Sequence, residues 1–334
     1  MSSYDLIIVG LGPAGAYLGH RAHARGLKVL GVDRKDAWDA TYGGWVDELP
    51  GVPLYSRTKP TVRFGGVGRV LEREYAIIDA DRWRSQLLDF PIVIGEAEIS
   101  NANSVLIDGQ KHLTDVVVDA RGMSYVAGQP LQQALGWFID SAPDAWMDFR
   151  ESTFLYSFDT PRGRVVEETY LAIADFHSWG ELEGALSRRF PGKKPREVER
   201  VVIPLGRPPA SKSALPFGAR AGFINPITGF SLATAIRMAE PTLDALWGHG
   251  TLPWRTRAFR ADRHLAELLQ RALLNLEPPR VQHLLRALLR LPTPLHRDFL
   301  QLGNLRGTLV GMALVFAQVP LSTKLAIVRA LVKG

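Results

Sequence analysis

Apolar positions along this chain come in short unbroken runs and in helical spacing, and their alternation sets the expected architecture. Leu6-Ile7-Ile8-Val9 is a continuous apolar run that stops at the glycine-rich turn Gly10-Leu11-Gly12-Pro13-Ala14-Gly15. Such a run bounded by glycine predicts a buried strand. A helix is expected next, reaching Arg25 and stopping at Gly26. Leu27 to Val32 predicts a second strand that ends at Asp33. Further on, strand and helix signals alternate without a detectable repeat or low-complexity segment. Asp81 is the expected cap of a short helix to Phe90, and Asp115-Val116-Val117-Val118-Asp119 predicts a buried strand running into Ala120-Arg121-Gly122. Thr153–Phe158 and Arg164–Ala172 flank Pro161-Arg162-Gly163, the pattern of two antiparallel strands joined by a turn. A charged helix from Trp179 to Phe190 is cut by Pro191, Val201-Val202-Ile203 returns to strand, and the chain beyond Phe230 reads as mostly helical.

The turn after the first strand has the Gly-x-Gly-x-x-Gly spacing of a dinucleotide loop. Gly10 permits the tight turn, Gly12 lets backbone approach a pyrophosphate, and Gly15 lets the helix pack on the strand. Pro13 and Ala14 open that helix, whose first N–H groups then face the phosphates. Asp33, with Arg34 beside it, stands near the offset at which a carboxylate accepts ribose hydroxyls. The strand, the helix and the acid together raise the reading above a plain strand-turn-helix. A nicotinamide domain needs only this first fingerprint, whereas a long flavin dinucleotide often lies against a second glycine-containing junction. Phe217 to Ser231 supplies such a junction. Gly222, Pro226, Thr228, Gly229, Phe230 and Ser231 are its candidate residues, although Pro-x-x-Gly also forms an ordinary turn.

Length and charge narrow the classes. A chain of 334 residues suggests about two domains, and the lack of cysteine rules out disulfides, thiolate metal sites and a cysteine nucleophile. With its first strand beginning at residue 4, the sequence is expected to be cytoplasmic and free of a cleavable secretory segment. A long uncharged stretch, between Arg306 and Lys324, contains Pro320 and is short for a spanning helix. The net charge of +6 divides into +9 from Arg255 onward and −3 before it. Few aromatics accompany that basic tail (Phe259, Phe299 and Phe316), so no nucleic-acid partner is expected. Leu284–Arg290 and Leu321–Lys333 fit amphipathic helices, suited either to peripheral membrane contact or to a core with solvated arginines outside. None of the eight histidines forms a convincing ligand pair, and no metal is expected.

Four separated segments together resemble the flavin-dependent lycopene cyclases of the soluble-fold bacterial and plant type. They are the N-terminal glycine loop, Tyr42-Gly43-Gly44-Trp45-Val46-Asp47-Glu48, Thr153–Tyr156 with Val166-Glu167-Glu168-Thr169, and Arg220-Ala221-Gly222 through Ser231. The resemblance implies FAD, in its reduced form with NADPH as a reductant, and a redox-neutral cyclisation of a linear carotene such as lycopene. An acid protonates the terminal alkene, the cation closes a ring, and a base removes a proton. Burial raises the pKa such an acid needs. Glu167 sits where the family places its acid, and Glu168 is its candidate partner; the plainer reading makes both of them polar residues on a sheet edge. Trp45, Tyr156 and Phe158 are candidates for stabilising the cation through their ring faces. Asp47 and Glu48 are expected to orient that pocket or the flavin, or to cap the adjacent loop. A flavin oxidoreductase, either a hydroxylase or a prenyl reductase, and a non-catalytic prenyl-lipid-binding flavoprotein are the competing readings; Glu167-Glu168-Thr169 favours the cyclase. The expected fold is α/β, a Rossmann-like FAD-binding domain with an inserted antiparallel β substrate layer and C-terminal helices. Its expected segments are 1–125 and 205–250 for the FAD domain, 126–204 for the substrate layer, and 251–334 for the helices.

Overall fold

The computed structural model describes residues 4–209, 213–248 and 250–333. Its first part runs β1 (Tyr4–Val9), α1 (Pro13–Ala24), β2 (Val29–Asp33), β3 (Gly43–Trp45), β4 (Leu54–Thr58), β5 (Thr61–Phe64), β6 (Val67–Val70), β7 (Tyr75–Ile78) and α2 (Ala80–Leu87). Then come β8 (Ile92–Ile94), β9 (Ala97–Asn101), β10 (Ser104–Ile107) and β11 (Gln110–Asp119). The middle holds β12 (Leu131–Ile139), β13 (Ala145–Arg150), β14 (Thr153–Thr160), β15 (Gly163–Ile173), α3 (Trp179–Arg189), β16 (Glu197–Pro204) and β17 (Leu215–Pro216). Helices α4 (Leu232–Trp247), α5 (Arg257–Leu274), α6 (Pro278–Leu288), α7 (Thr293–Leu300), α8 (Leu305–Gln318) and α9 (Leu321–Lys333) complete it.

The first sheet has the order β8-β2-β1-β11-β10-β9, with β17 also paired to β11. Strand β1 lies parallel to both β2 and β11. Its unbroken apolar run follows from burial on both faces. Leu6 and Ile8 join Leu18, Phe217 and Ala239 on the helical side, while Ile7 and Val9 join Leu30, Val105 and Val117 on the other. This is the Rossmann-like half of the expected α/β fold. The short helix α2 departs from expectation at both ends: Asp79, not Asp81, accepts the Arg82 N–H at 3.1 Å, and the helix stops at Leu87. The cap falls earlier because Asp79 follows β7 in a non-helical conformation, leaving Asp81 inside the first turn.

The second sheet, β16-β12-β15-β14-β13-β5-β6, is antiparallel except where β13 meets β5. Residues 61–70 therefore join the antiparallel layer, although they precede residue 125. One face of this sheet packs on α3 through Leu135, Trp137, Leu155, Val166, Leu182 and Leu186. The opposite face carries an aromatic core that includes Trp45, Tyr75, Trp146, Phe149 and Phe154. Helices α5 to α9 build a separate apolar core around Ala266, Leu288, Phe299, Val315 and Ile327. Among the described residues no single helix is long and apolar enough to cross a membrane; α7 and α8 pass that test only as a pair, bent by 118°.

Candidate active site

A cleft forms where β1, β2 and β11 end. Gly10 has φ +98°, and a Cβ there would stand 2.6 Å from the Ala120 carbonyl carbon, so only glycine lets β1 turn this close to β11. At Gly12 a Cβ would meet nothing within 4 Å, because this backbone faces the open cleft. Gly15 does not face the cleft; a Cβ there would lie 2.0 Å from the Gly10 carbonyl oxygen, so it lets α1 pack against the loop. Asp33 accepts the Leu11 N–H at 2.5 Å and the Lys35 N–H at 3.2 Å, fixing the loop to the end of β2. The cleft measures about 550 Å³ and is lined by Gly10, Gly12, Pro13, Ala14, Asp33 and Arg34 on one side and by Arg121, Arg220 and Ser231 on the other.

The second glycine junction closes the far wall. Asn225, which no motif marks in the sequence, organises it: the side chain accepts the Ile227 N–H at 2.9 Å and donates to the Leu300 carbonyl at 3.1 Å. Gly229, at φ +74°, hands the chain to Ser231, the residue before α4. Gly222 and Pro226 lie behind this wall rather than on it. Arg263 packs on Gly222, and the Pro226 carbonyl accepts Gln270 Nε2 at 2.7 Å. Both residues shape the loop. Two helix N-termini, those of α1 and α4, thus open on one cleft, and Arg220 Nε is buried there without a hydrogen-bond partner, 3.7 Å from Asp119 Oδ2. Open backbone at Gly12 and this unsatisfied guanidinium nitrogen fit the pyrophosphate of a dinucleotide.

Glu167 occupies the aromatic face of the second sheet. It lies directly across from Tyr156 on β14 and from Gly136 on β12, and Gly136 in turn faces Glu199 on β16. Burial, then the charge of Glu199, pushes the Glu167 carboxyl up to about 7, while the Thr169 hydroxyl, 3.2 Å away, works in the opposite direction. Its surroundings include Tyr75 and Tyr156, whose phenols burial raises further above their ordinary range. Glu199 is itself held by the Thr41 N–H at 2.8 Å, the Thr41 hydroxyl at 2.9 Å and the Arg162 guanidinium.

Glu168 does not join this site. Strand alternation turns it to the α3 face, where it is 1% exposed and Arg189 Nε lies 2.6 Å from its Oε2. Thr153 donates a further hydrogen bond. The partner carboxylate of Glu167 is Glu199, brought in by strand pairing from a distant part of the sequence.

Next to Tyr156 lies a chamber of rings. Trp45 meets Tyr75 at 5.4 Å and the imidazole of His296 at 5.2 Å edge-on, and Trp146 at 5.1 Å with its ring tilted. Phe158 stacks on Tyr75 at 5.8 Å. A β-bulge between Trp146 and Asp148, with Met147 at φ +57°, brings both Trp146 and Met147 into this chamber. The cavity at its centre is about 50 Å³, lined by Trp45, Trp146, Tyr156, Thr228, Phe230 and His296 among others. Thr228 and Phe230 therefore face the chamber and not the cleft at the glycine loop. Asp47 and Glu48 do not reach it either: both accept from Arg73 at 2.9 Å, and that guanidinium sits 4.6 Å from the centre of the Trp45 ring. They hold Trp45 from behind. Among the described residues no group of three or more His, Asp or Glu is gathered to hold a metal ion.

The profile described as lycopene cyclase protein matches residues 5–325. The chain belongs to the lycopene cyclase family. A relative in Deinococcus radiodurans, described as an uncharacterized carotenoid cyclase, is 29% identical over 98% of this chain and 94% of its own length. The chloroplastic lycopene beta cyclase of Arabidopsis thaliana is 26% identical over 79% of this chain, which spans 64% of the plant protein. Among solved structures, a geranylgeranyl bacteriochlorophyll reductase-like protein from Thermoplasma acidophilum superposes with a TM-score of 0.67 at 15% identity, covering 94% of this chain and 96% of that one. This last likeness is one of fold, and it spans both sheets.

Proposed function

We propose that this cyclase-family protein closes the acyclic end of a carotene, with lycopene as the substrate to test first, in a reaction without net redox change. The observation that carries the reading is Glu167, a carboxyl held near neutral pKa by burial at the rim of an aromatic chamber. A group with that pKa is protonated often enough at neutral pH to give its proton to an alkene. The faces of Trp45, Trp146 and Tyr156 stabilise the resulting cation without offering it a nucleophile. As it stands the cavity is smaller than a carotene ring, so the substrate end enters by displacing lining side chains. Met147 and the leucines of α6, Leu285 and Leu288, are the adaptable part of that lining.

FAD is the cofactor that the cleft suits. Gly12, the α1 and α4 N-termini and Arg220 would hold its pyrophosphate, and Asp33 its ribose. In the reduced form, with NADPH as reductant, it would supply negative charge that favours a cation. Substrate this apolar resides in a lipid bilayer, and α8 and α9 offer a surface for reaching it. Leu309, Leu314, Leu321, Leu325 and Val328 are exposed there, with Leu321 at 72%. Residues 305–333 contain Arg306, Lys324, Arg329 and Lys333 and no acid, which suits the anionic cytoplasmic face of a membrane.

Purified protein supplied with FAD, NADPH and lycopene in vesicles tests the reading by pigment chromatography. Cyclised product without stoichiometric NADPH consumption is expected. NADPH or oxygen consumed in proportion to product would replace the cyclase with a reductase or hydroxylase, and no turnover with any polyene would leave a lipid carrier.

A further inference from the structure

A cyclisation begun by an acid must end at a base, and Glu167 accounts only for the beginning. The base has to meet the ring cation inside the chamber, away from water. Of the described side chains lining the cavity, Gln132, Thr228 and Tyr156 carry oxygen atoms that accept protons poorly when neutral, and the indole nitrogens of Trp45 and Trp146 are donors only. The remaining polar group is His296, on α7. Its side chain is buried, its ring meets Trp45 edge-on at 5.2 Å, and its Nε2 has no hydrogen-bond partner. Leaving a buried imidazole nitrogen unsatisfied is costly, and an apolar residue would fill the place without that cost. Tyr156, the cross-strand neighbour of Glu167, lines the same cavity from the sheet, so the strand pair that carries the acid borders the chamber that holds the imidazole.

We propose that His296 Nε2 takes the proton that ends the cyclisation, an assignment that rests on the carotene-closing function proposed above. The Glu167 carboxyl gives its proton to the terminal carbon–carbon double bond, and the electrons of a neighbouring double bond close the new ring bond, leaving a tertiary cation in the ring. The Nε2 lone pair then removes a proton from a carbon next to that cation, and the C–H electron pair becomes the ring double bond. The imidazolium proton returns to solvent, Glu167 is reprotonated from solvent, and product and substrate are isomers. His296 is ready for this as the free base: burial, together with the Arg73 cation, lowers its imidazolium to about 4, against a weaker opposing pull from Asp47. Arg73, which Asp47 and Glu48 hold over Trp45, is the cation facing this ring, from the turn before β7.

The position of the base decides which neighbouring carbon loses its proton, so the test reads double-bond isomers as well as rate. Wild type, His296→Ala and His296→Gln are compared on lycopene with reduced FAD, with folding checked by near-UV circular dichroism and cofactor binding by flavin fluorescence. Turnover is expected to fall about 10²- to 10⁴-fold in both variants, the residual product to spread over several ring isomers, and added imidazole to restore rate and the original isomer in His296→Ala. A purely structural histidine would give neither the spread nor the rescue. If alanine prevents folding, His296→Gln, which keeps size and polarity, carries the comparison alone. Folded variants with wild-type rate and a wild-type isomer ratio would overturn the assignment. Wild type that makes no cyclic product would instead remove the function on which it rests.

Discussion

Glu167 and Glu168 are chemically identical neighbours on one strand, and the sheet gives them opposite environments. On the α3 face, Glu168 is closed in with Arg189, and the pair satisfies a buried charge. On the aromatic face, Glu167 has Tyr156, Tyr75 and Thr169 around it and a second carboxylate, Glu199, in place of a cation. Burial with a counter-charge makes structure; burial without one makes an acid whose proton is available near neutral pH.

The sharpest way to break this contrast is to exchange each glutamate for glutamine. Glu167→Gln is expected to lower cyclisation by about 10³-fold or more, about 4 kcal/mol of transition-state stabilisation, while FAD affinity and the unfolding midpoint at pH 5 stay as in wild type. Product formation measured beside flavin titration checks both. Glu168→Gln is expected to do the reverse. It leaves Arg189 with Asp148, 3.3 Å away, as its remaining carboxylate, and costs up to about 3 kcal/mol in urea unfolding, with turnover per folded molecule kept within a few-fold. Adding Arg189→Met to Glu168→Gln should recover part of that loss, since it removes the buried guanidinium and leaves only the more exposed Asp148 without a partner.

The two environments also differ in how they respond to pH. Cyclisation is expected to fall about tenfold per pH unit above 7, as Glu167 loses its proton. Stability follows the same group. Its folded pKa of about 7 lies above its ordinary value of 4.5, so the native state holds the proton more tightly than the unfolded chain and stability declines as pH rises between those values. That decline is at most about 3 kcal/mol, reduced by the partial exposure of the side chain. Urea midpoints at pH 5 and pH 8 should therefore differ in wild type by more than they do in Glu167→Gln.

How much of this was legible in the sequence depends on the range over which each contact acts. The glycine loop, Asp33 and the alternation that separates Glu167 from Glu168 are local, and the residue order carries them. The chamber is not local. Tyr75, Trp146 and His296 come from a short strand, a bulge and a C-terminal helix, and nothing near any of them in sequence marks it as a neighbour of Trp45. Asp47 and Glu48 look like pocket residues until Arg73, twenty-five residues beyond Glu48, is seen to take both. Glu199 carries no mark of its own in the sequence, because strand register between β12 and β16 is set by long-range pairing.

Glu199 offers the smallest and most specific test of that pairing. It stands two strands from Glu167, about 10 Å by ordinary strand spacing, and Gly136 between them carries no side chain to screen one from the other. At an effective dielectric of about 40, a unit charge at that distance shifts a pKa by about half a unit. Glu199→Gln removes the negative charge and leaves Arg162 less compensated, and both changes stabilise the Glu167 carboxylate. The alkaline limb of the rate profile should move to lower pH by about that half unit, with the maximal rate at pH 5 nearly unchanged. A limb that stays in place would mean that burial alone sets the acidity of Glu167; a limb displaced to higher pH would mean that Glu199 acts through Thr41 and the fit of its loop, and not through its charge.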